Sequence, residues 1–294
     1  MPYALNEGTR LYWNEVGDGP PVLLIMGLSF THEMWYRVVP VLQQRRRVIL
    51  FDNRGVGRTD CPKGPYSIAQ MARDAAAVLD AAGVRSAPVI GASMGGMIAQ
   101  ELALQQPDRV ESLLLACTSY GGIVAKWPRP VLPRFGAATR EAAFLPLLYA
   151  KTTPHERINE DLRVQAACTC SFQALWNQFS GILLWSSYRR LPSIRVPTLV
   201  VHGDSDRLIP PENGRVVASR IPGAEFRLIP DAGHIITTDQ PEACRRLMFD
   251  FLRLAQKGVD SRQSAYDRPN QTEQGPASDH PAAQDSRSPQ TASR

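Results

Sequence analysis

Pro88-Val89-Ile90-Gly91-Ala92-Ser93-Met94-Gly95-Gly96 runs from a short apolar segment, through a serine set among glycines, into a helix-length segment at residues 94–106. A nucleophilic serine must stand clear of the backbone on a tight strand-to-helix turn. The residues two before and two after it must therefore be small, and Gly91 and Gly95 meet that demand. The same turn puts Ser93 at a helix N-terminus, where unpaired N–H groups and the positive end of the dipole favour a developing oxyanion. The Met94 N–H is one natural donor. A bare G-x-S-x-G is also an ordinary glycine-rich turn, and only the strand before it and the helix after it give it chemical meaning.

The surrounding sequence supplies the sheet that such a turn needs. β-rich runs at residues 22–26, 48–51, 88–90 and 110–116 alternate with helix-length segments at 32–44, 67–82 and 94–106. This alternation builds a parallel sheet with helices on both faces. Residues 10–16 precede the turn-rich Gly17-Asp18-Gly19-Pro20-Pro21 and are expected to pair antiparallel at the sheet edge, giving a mixed sheet. After residue 116 the rhythm stops. Gly121-Gly122 and a proline-rich stretch, 127–133, lead into helix-like segments near 140–151, 155–167 and 171–188. It resumes with a strand at 198–202, a helix near 211–220, a strand at 225–229 and an amphipathic helix from Pro241 to about Gln256. The expected organisation is an α/β core from residues 1–120 and 193–257, interrupted by a helical cap at 121–192. Residues 258–294 are almost all polar, Pro, Gly or Ala, and are expected to form a disordered tail that cannot offset its ordering entropy.

Composition bounds the partners. The 294 residues, 44% hydrophobic, suffice for one sizeable core. No apolar stretch approaches the ~18 residues of a membrane span, and the opening Met1-Pro2-Tyr3-Ala4-Leu5-Asn6-Glu7 lacks a signal peptide's basic and apolar regions. A cytoplasmic protein without membrane contact is the expectation. Cys61, Cys117, Cys168, Cys170 and Cys244 are an odd, scattered set that reads as reduced thiols, without a second Cys/His pair to complete a zinc site beside Cys168-Thr169-Cys170. The net charge of +5 comes from dispersed arginines, and Arg45-Arg46-Arg47 reads as a solvated loop rather than a nucleic-acid site.

A serine hydroxyl needs a base to take its proton. Among His32, His155, His202, His234 and His280, His234 stands on a glycine-flanked loop, Asp231-Ala232-Gly233-His234, between the last strand and the last helix. That loop lies within reach of the sheet's C-terminal edge. The orienting carboxylate is sought in His202-Gly203-Asp204-Ser205-Asp206-Arg207, where Asp206, further into the loop, points back more readily than Asp204. The loop after the first parallel strand, Gly27-Leu28-Ser29, is the source of a second oxyanion donor, assigned to the Leu28 N–H.

With these motifs in hand, residues 10–256 resemble the α/β-hydrolase superfamily, through the elbow at 91–95, the acid loop at 203–206, Gly233-His234, and Phe51-Asp52-Asn53-Arg54-Gly55-Val56-Gly57-Arg58. The resemblance implies that the acid is the fourth residue of G-x-x-D, which is Asp206, and that Asp52 and Arg54 are mainly structural. It implies no metal and no organic cofactor. The chain departs from the family at Met26-Gly27, where a His-Gly pair is usual; the side-chain hydrogen bonding of that loop must therefore differ. Serine at the elbow argues against the epoxide-hydrolase and haloalkane-dehalogenase branches, which use aspartate there.

The cap carries Trp127, Phe135, Phe144, Tyr149, Phe172, Trp176, Phe179, Trp185 and Tyr188, able to line an apolar pocket or to pack the cap onto the core. Trp127, Trp176 and Trp185 are expected at the substrate. A small or medium apolar ester or lactone is the expected substrate, cleaved through an acyl-enzyme. Carbon–carbon (diketone) hydrolysis, cofactor-free haloperoxidase or perhydrolase chemistry on the same triad, and a non-catalytic ligand receptor are the alternatives.

Overall fold

The computed structural model describes residues 3–122, 125–126 and 145–266, with side chains described through residue 253. Eight strands make one sheet: β1 (Tyr3–Asn6), β2 (Thr9–Val16), β3 (Pro21–Ile25), β4 (Arg47–Phe51), β5 (Ala87–Ala92), β6 (Val110–Ala116), β7 (Thr198–Gly203) and β8 (Glu225–Ile229). Their spatial order is β1-β2-β4-β3-β5-β6-β7-β8. β1 and β2 pair antiparallel, β2 pairs antiparallel with β4, and every other pairing is parallel.

β3 and β4 read as continuous apolar runs because both faces of the sheet are covered. Leu23, Ile25, Val89, Leu113 and Val200 point into one core, where α2 (Ile68–Ala81), α3 (Met94–Gln105) and α6 (Pro211–Arg220) pack. Their neighbours Val22, Leu24, Ile90, Leu114 and Val201 point into the opposite core, against α1 (Val39–Leu42), α7 (Ile236–Asp239) and α8 (Pro241–Tyr266). The period of two along each strand thus divides one sequence between two cores. Ser67 starts α2 by accepting the Gln70 N–H at 3.0 Å, an N-cap that satisfies one orphan donor.

The cap contributes a helical turn at 145–148, α4 (His155–Ala166) and α5 (Phe172–Leu184) between β6 and β7, and the described residues there include isolated bridges but no strand. Glu101 ties cap to core. Its buried carboxylate accepts the Trp185 Nε1–H at 2.7 Å and a two-pronged contact from Arg190. No helix among the described residues is long and apolar enough to cross a membrane.

Three elements differ from the sequence reading. β2 is not the edge strand, because Glu7 (φ 48°) and Gly8 (φ 76°) make a two-residue reverse turn that lays β1 outside it. The expected helix at 32–44 is instead a 3-10 turn, His32–Trp35, and the single turn α1, since Pro40 cannot donate into a continuous helix. α8 runs past Gln256 to Tyr266, through Gly258 and into residues assigned to the tail; a lone glycine costs a helix only about 1 kcal/mol. Trp127 and the remainder of the expected tail lie outside the described residues.

Candidate active site

β5 delivers Ser93 to the first turn of α3 with φ 56° and ψ −121°, a conformation that costs a non-glycine residue about 1–3 kcal/mol. Backbone and side-chain hydrogen bonds hold it there. Ser93 N donates to Ala116 O at 2.9 Å, while Ser93 O accepts from Thr118 Oγ1 at 2.7 Å and from Gly96 N at 3.0 Å. The flanking glycines are steric necessities: a Cβ on Gly91 would lie 2.4 Å from Gly95 O, and one on Gly95 would lie 2.1 Å from Ile25 O.

From Ser93 a hydrogen-bonded chain runs inward. Ser93 Oγ lies 3.0 Å from His234 Nε2, and His234 Nδ1 lies 2.8 Å from Asp206 Oδ2. The other oxygen, Asp206 Oδ1, accepts the Leu208 and Ile209 N–H groups at 2.9 and 2.8 Å, which fixes the carboxylate plane. Because the acceptor-only carboxylate faces Nδ1, the imidazole proton sits on Nδ1 and the Nε2 lone pair faces the hydroxyl. Asp206 is buried, whereas Asp204 is exposed and takes the Ser205 hydroxyl.

The His234 loop is clamped from the cap side. His234 N and Ile235 N both donate to Leu148 O, and the buried Asp239 accepts the N–H groups of Gly233 and Ala150 together with the Thr153 hydroxyl. Burial raises the Asp239 pKa above the ordinary carboxylate value, while those three donors pull it down. Asp161, also buried, accepts hydroxyls from Tyr36, Tyr149 and Thr238, tying α4 to the same loop.

His202 occupies the space behind the acid. It is fully buried, donates from Nε2 to Thr118 O at 3.1 Å, and leaves Nδ1 without a partner 3.9 Å from Asp206 Oδ2. Burial pushes its pKa down to about 4, against the upward pull of Asp206, so the ring is neutral at pH 7. The nearby Cys117 thiol is raised first by burial and then by Asp206, which keeps it protonated and a poor nucleophile. Cys117, Asp206 and His234 are the one set of metal-donor side chains gathered among the described residues, their ligand atoms within 4.8 Å of one another. Two of these three are already engaged in the chain to Ser93. Of the other histidines, His32 pairs with Asp52, His155 starts α4 at the surface and His280 lies outside the described residues.

The Leu28 and Met94 backbones flank Ser93 on the cavity wall, and neither N–H has an acceptor among the described residues. Gly27 brings the first of these loops against the serine, since a Cβ there would lie 3.1 Å from Ser93 Cβ. Asp52 and Arg54 serve the framework. Asp52 accepts from His32 and Arg58, and Arg54 makes a buried two-pronged ion pair with Asp74 at 2.6 Å.

The serine opens onto a cavity of about 510 Å³. Five of the seven methionines line it, namely Met26, Met34, Met94, Met97 and Met248, along with Trp35, Phe179, Ile182, and Leu145 and Leu148 of the 145–148 turn. No Asp, Glu, Lys or Arg among the described residues contributes to its wall. Two expected pocket residues are placed elsewhere. Trp176 is 46% exposed and leans on Phe179, because its position on α5 faces away from the core. Trp185 is buried against Gly121, with its indole N–H spent on Glu101. Sequence reasoning missed Gln178, Asn53 and Thr118, which brace the site. Only Asn53 lay within a stretch that the pattern of residues singled out, and a buried glutamine inside a cap helix leaves no such mark.

Residues 22–247 match the Alpha/beta hydrolase family. The chain belongs to that family. Among its relatives, a protein of Azorhizobium caulinodans, provisionally named the carbamate hydrolase RutD, is 33% identical over 85% of this chain and 98% of its own length. Est816, described as an N-acyl homoserine lactone degrading enzyme, superposes with a TM-score of 0.77 at 31% identity, covering 85% of this chain and all of Est816. The enol-lactonase of Burkholderia xenovorans LB400 superposes with a TM-score of 0.79 at 28% identity, covering 86% and 100%. This α/β hydrolase is thus similar to hydrolases of small molecules.

Proposed function

We propose that this chain hydrolyses a small or medium neutral carboxylic ester or lactone through an acyl-enzyme on Ser93. The observation that carries the reading is the continuous Ser93–His234–Asp206 chain opening onto an apolar cavity whose described lining residues include no Asp, Glu, Lys or Arg. His234 Nε2 takes the Ser93 proton as Oγ attacks the carbonyl carbon, and the carbonyl oxygen gains its negative charge beside the Leu28 and Met94 N–H groups. Collapse expels the alkoxide, which receives the proton from His234; in a lactone the freed hydroxyl stays attached to the acyl chain. Water, deprotonated by His234, then attacks the acyl-enzyme and releases the acid and Ser93. The uncharged wall favours neutral substrates, since a carboxylate buried there without a partner is strongly disfavoured.

The test is a panel of p-nitrophenyl acyl esters of graded length, simple lactones, a p-nitrophenyl carbamate and a vinylogous diketone, each with wild type and Ser93→Ala. Ester or lactone turnover that disappears in Ser93→Ala is the expected result. Turnover of the carbamate or the diketone alone moves the reaction to that bond, and ester turnover that survives Ser93→Ala overturns the acyl-enzyme. Binding of these compounds without turnover by folded wild type favours a receptor.

A further inference from the structure

Met26-Gly27 opens the loop that carries Leu28, and Leu28 and its neighbours are held in place from outside that loop. Two side chains do so. Asn53 Nδ2 donates to Met26 O at 2.9 Å, and Ser29 N donates to Gln178 Oε1 at 2.9 Å. Ser29 itself has φ 64°, a left-handed conformation that a serine keeps only when its surroundings impose it. Gln178 is fully buried and reaches the loop from cap helix α5. Its Nε2 donates to Arg54 O at 2.9 Å, so the amide bridges the oxyanion loop and the 52–58 loop. Both bonds require one amide orientation: turning it over would set Nε2 against an N–H and Oε1 against a carbonyl.

We infer that Gln178 is a positioning residue, by which the cap joins Asn53 of the core in setting the Leu28 oxyanion donor. This rests on the acyl-enzyme reading above. The loop is squeezed between two surfaces. On one side Gly27 abuts Ser93, and on the other Gln178 holds Ser29, so Leu28 is fixed between a steric stop and a hydrogen bond. The cap helix is therefore part of the catalytic apparatus as well as the pocket roof, and Gln178 acts without touching substrate.

Gln178→Met keeps the length of the side chain and removes both bonds. Misplacing a transition-state donor by the order of an ångström costs about 100-fold in kcat, with KM little changed because the donor acts only in the transition state. The decisive readout is a pair of inhibitors. A trifluoromethyl ketone that adds to Ser93 places an oxyanion in the hole and should weaken by the factor lost from kcat/KM. The matching secondary alcohol fills the cavity without an oxyanion and should bind as it does to wild type. Rates are taken per active site, titrated with a fluorophosphonate, so that unfolded enzyme does not count as slow enzyme.

Gln178→Glu supplies the second arm and serves alone should Gln178→Met fail to fold. When ionised, the introduced carboxylate accepts from Ser29 but repels the Arg54 carbonyl. When protonated, it accepts from Ser29 and donates to Arg54, as glutamine does. Its kcat, as a ratio to wild type at each pH, should therefore rise as pH falls. A merely structural role predicts an unchanged inhibitor ratio in Gln178→Met and a flat pH ratio in Gln178→Glu, and either result overturns the inference. Wild-type turnover that does not depend on Ser93 overturns the underlying reading instead.

Discussion

Asp206→Asn isolates the acid's contribution because the structure dictates how the new amide must lie. Asp206 Oδ1 accepts two backbone N–H groups, from Leu208 and Ile209, at 2.9 and 2.8 Å. The asparagine oxygen must take that position, since an NH2 group there would face two donors. The NH2 group then falls at the Oδ2 position, 2.8 Å from His234 Nδ1. Nδ1 must now accept, the imidazole proton moves to Nε2, and the atom facing Ser93 Oγ at 3.0 Å becomes a donor unable to take the serine proton. A wrong-tautomer substitution of this kind costs about 10⁴-fold in kcat, near 5 kcal/mol of transition-state stabilisation at about 1.4 kcal/mol per decade. The shape of the side chain and its two backbone bonds survive, so thermal stability should stay close to wild type. The assay is the initial rate on the best p-nitrophenyl ester at pH 7, with circular dichroism as the folding control and Asp204→Asn as the comparison. A loss below tenfold in folded Asp206→Asn, or an equal loss in the exposed Asp204→Asn, refutes this account of the acid.

Other consequences can be checked separately. His202 is neutral when folded, with a pKa near 4, and takes a proton near 6.5 when unfolded. Its contribution to stability is therefore present above about pH 6.5 and lost as pH falls towards 4, by about 3 kcal/mol in all. Urea titrations from pH 7 to 4 should show a shallower acid loss in His202→Gln, whose amide can still donate to Thr118 O; superimposable acid limbs count against it. Arg54→Met strands the fully buried Asp74 with Asn6 as its remaining partner, and should lower unfolding free energy by about 3–5 kcal/mol. Adding Asp74→Leu should restore much of that loss, and additive losses would show that the pair was not the cause. Phe179→Ala, on the cavity wall, should raise KM for long acyl chains, whereas the outward Trp176→Ala should leave the chain-length profile alone.

What the sequence disclosed was whatever sterics or periodicity force upon it. Ser93 is legible because only glycine fits at 91 and 95, where any Cβ collides with backbone oxygen. The two-sided burial of β3, β4 and β7 writes itself as consecutive Val, Leu and Ile. The edge strand β1 was not legible, since four residues with a single buried position carry almost no period. Neither was the direction in which cap aromatics point, as a tryptophan packs equally well on a core, on a ligand or, as Trp185 does, around its own N–H partner. Gln178, Asp161 and Asp239 escaped for a related reason: each takes part of its definition from a partner more than 60 positions away.

The five methionines around the cavity bear on which co-substrate the site can sustain. Thioethers are soft and flexible, so the wall can remould itself around acyl groups of different shapes. They also take up oxygen from peroxides, becoming polar sulfoxides that an apolar wall does not tolerate. On the acyl-enzyme reading proposed above, the site hands acyl groups to water without harm to this wall. Were hydrogen peroxide to attack the acyl-enzyme in place of water, it would free Ser93 and release a peracid beside Met94, whose thioether would take up the peracid's oxygen as a sulfoxide and leave the acid.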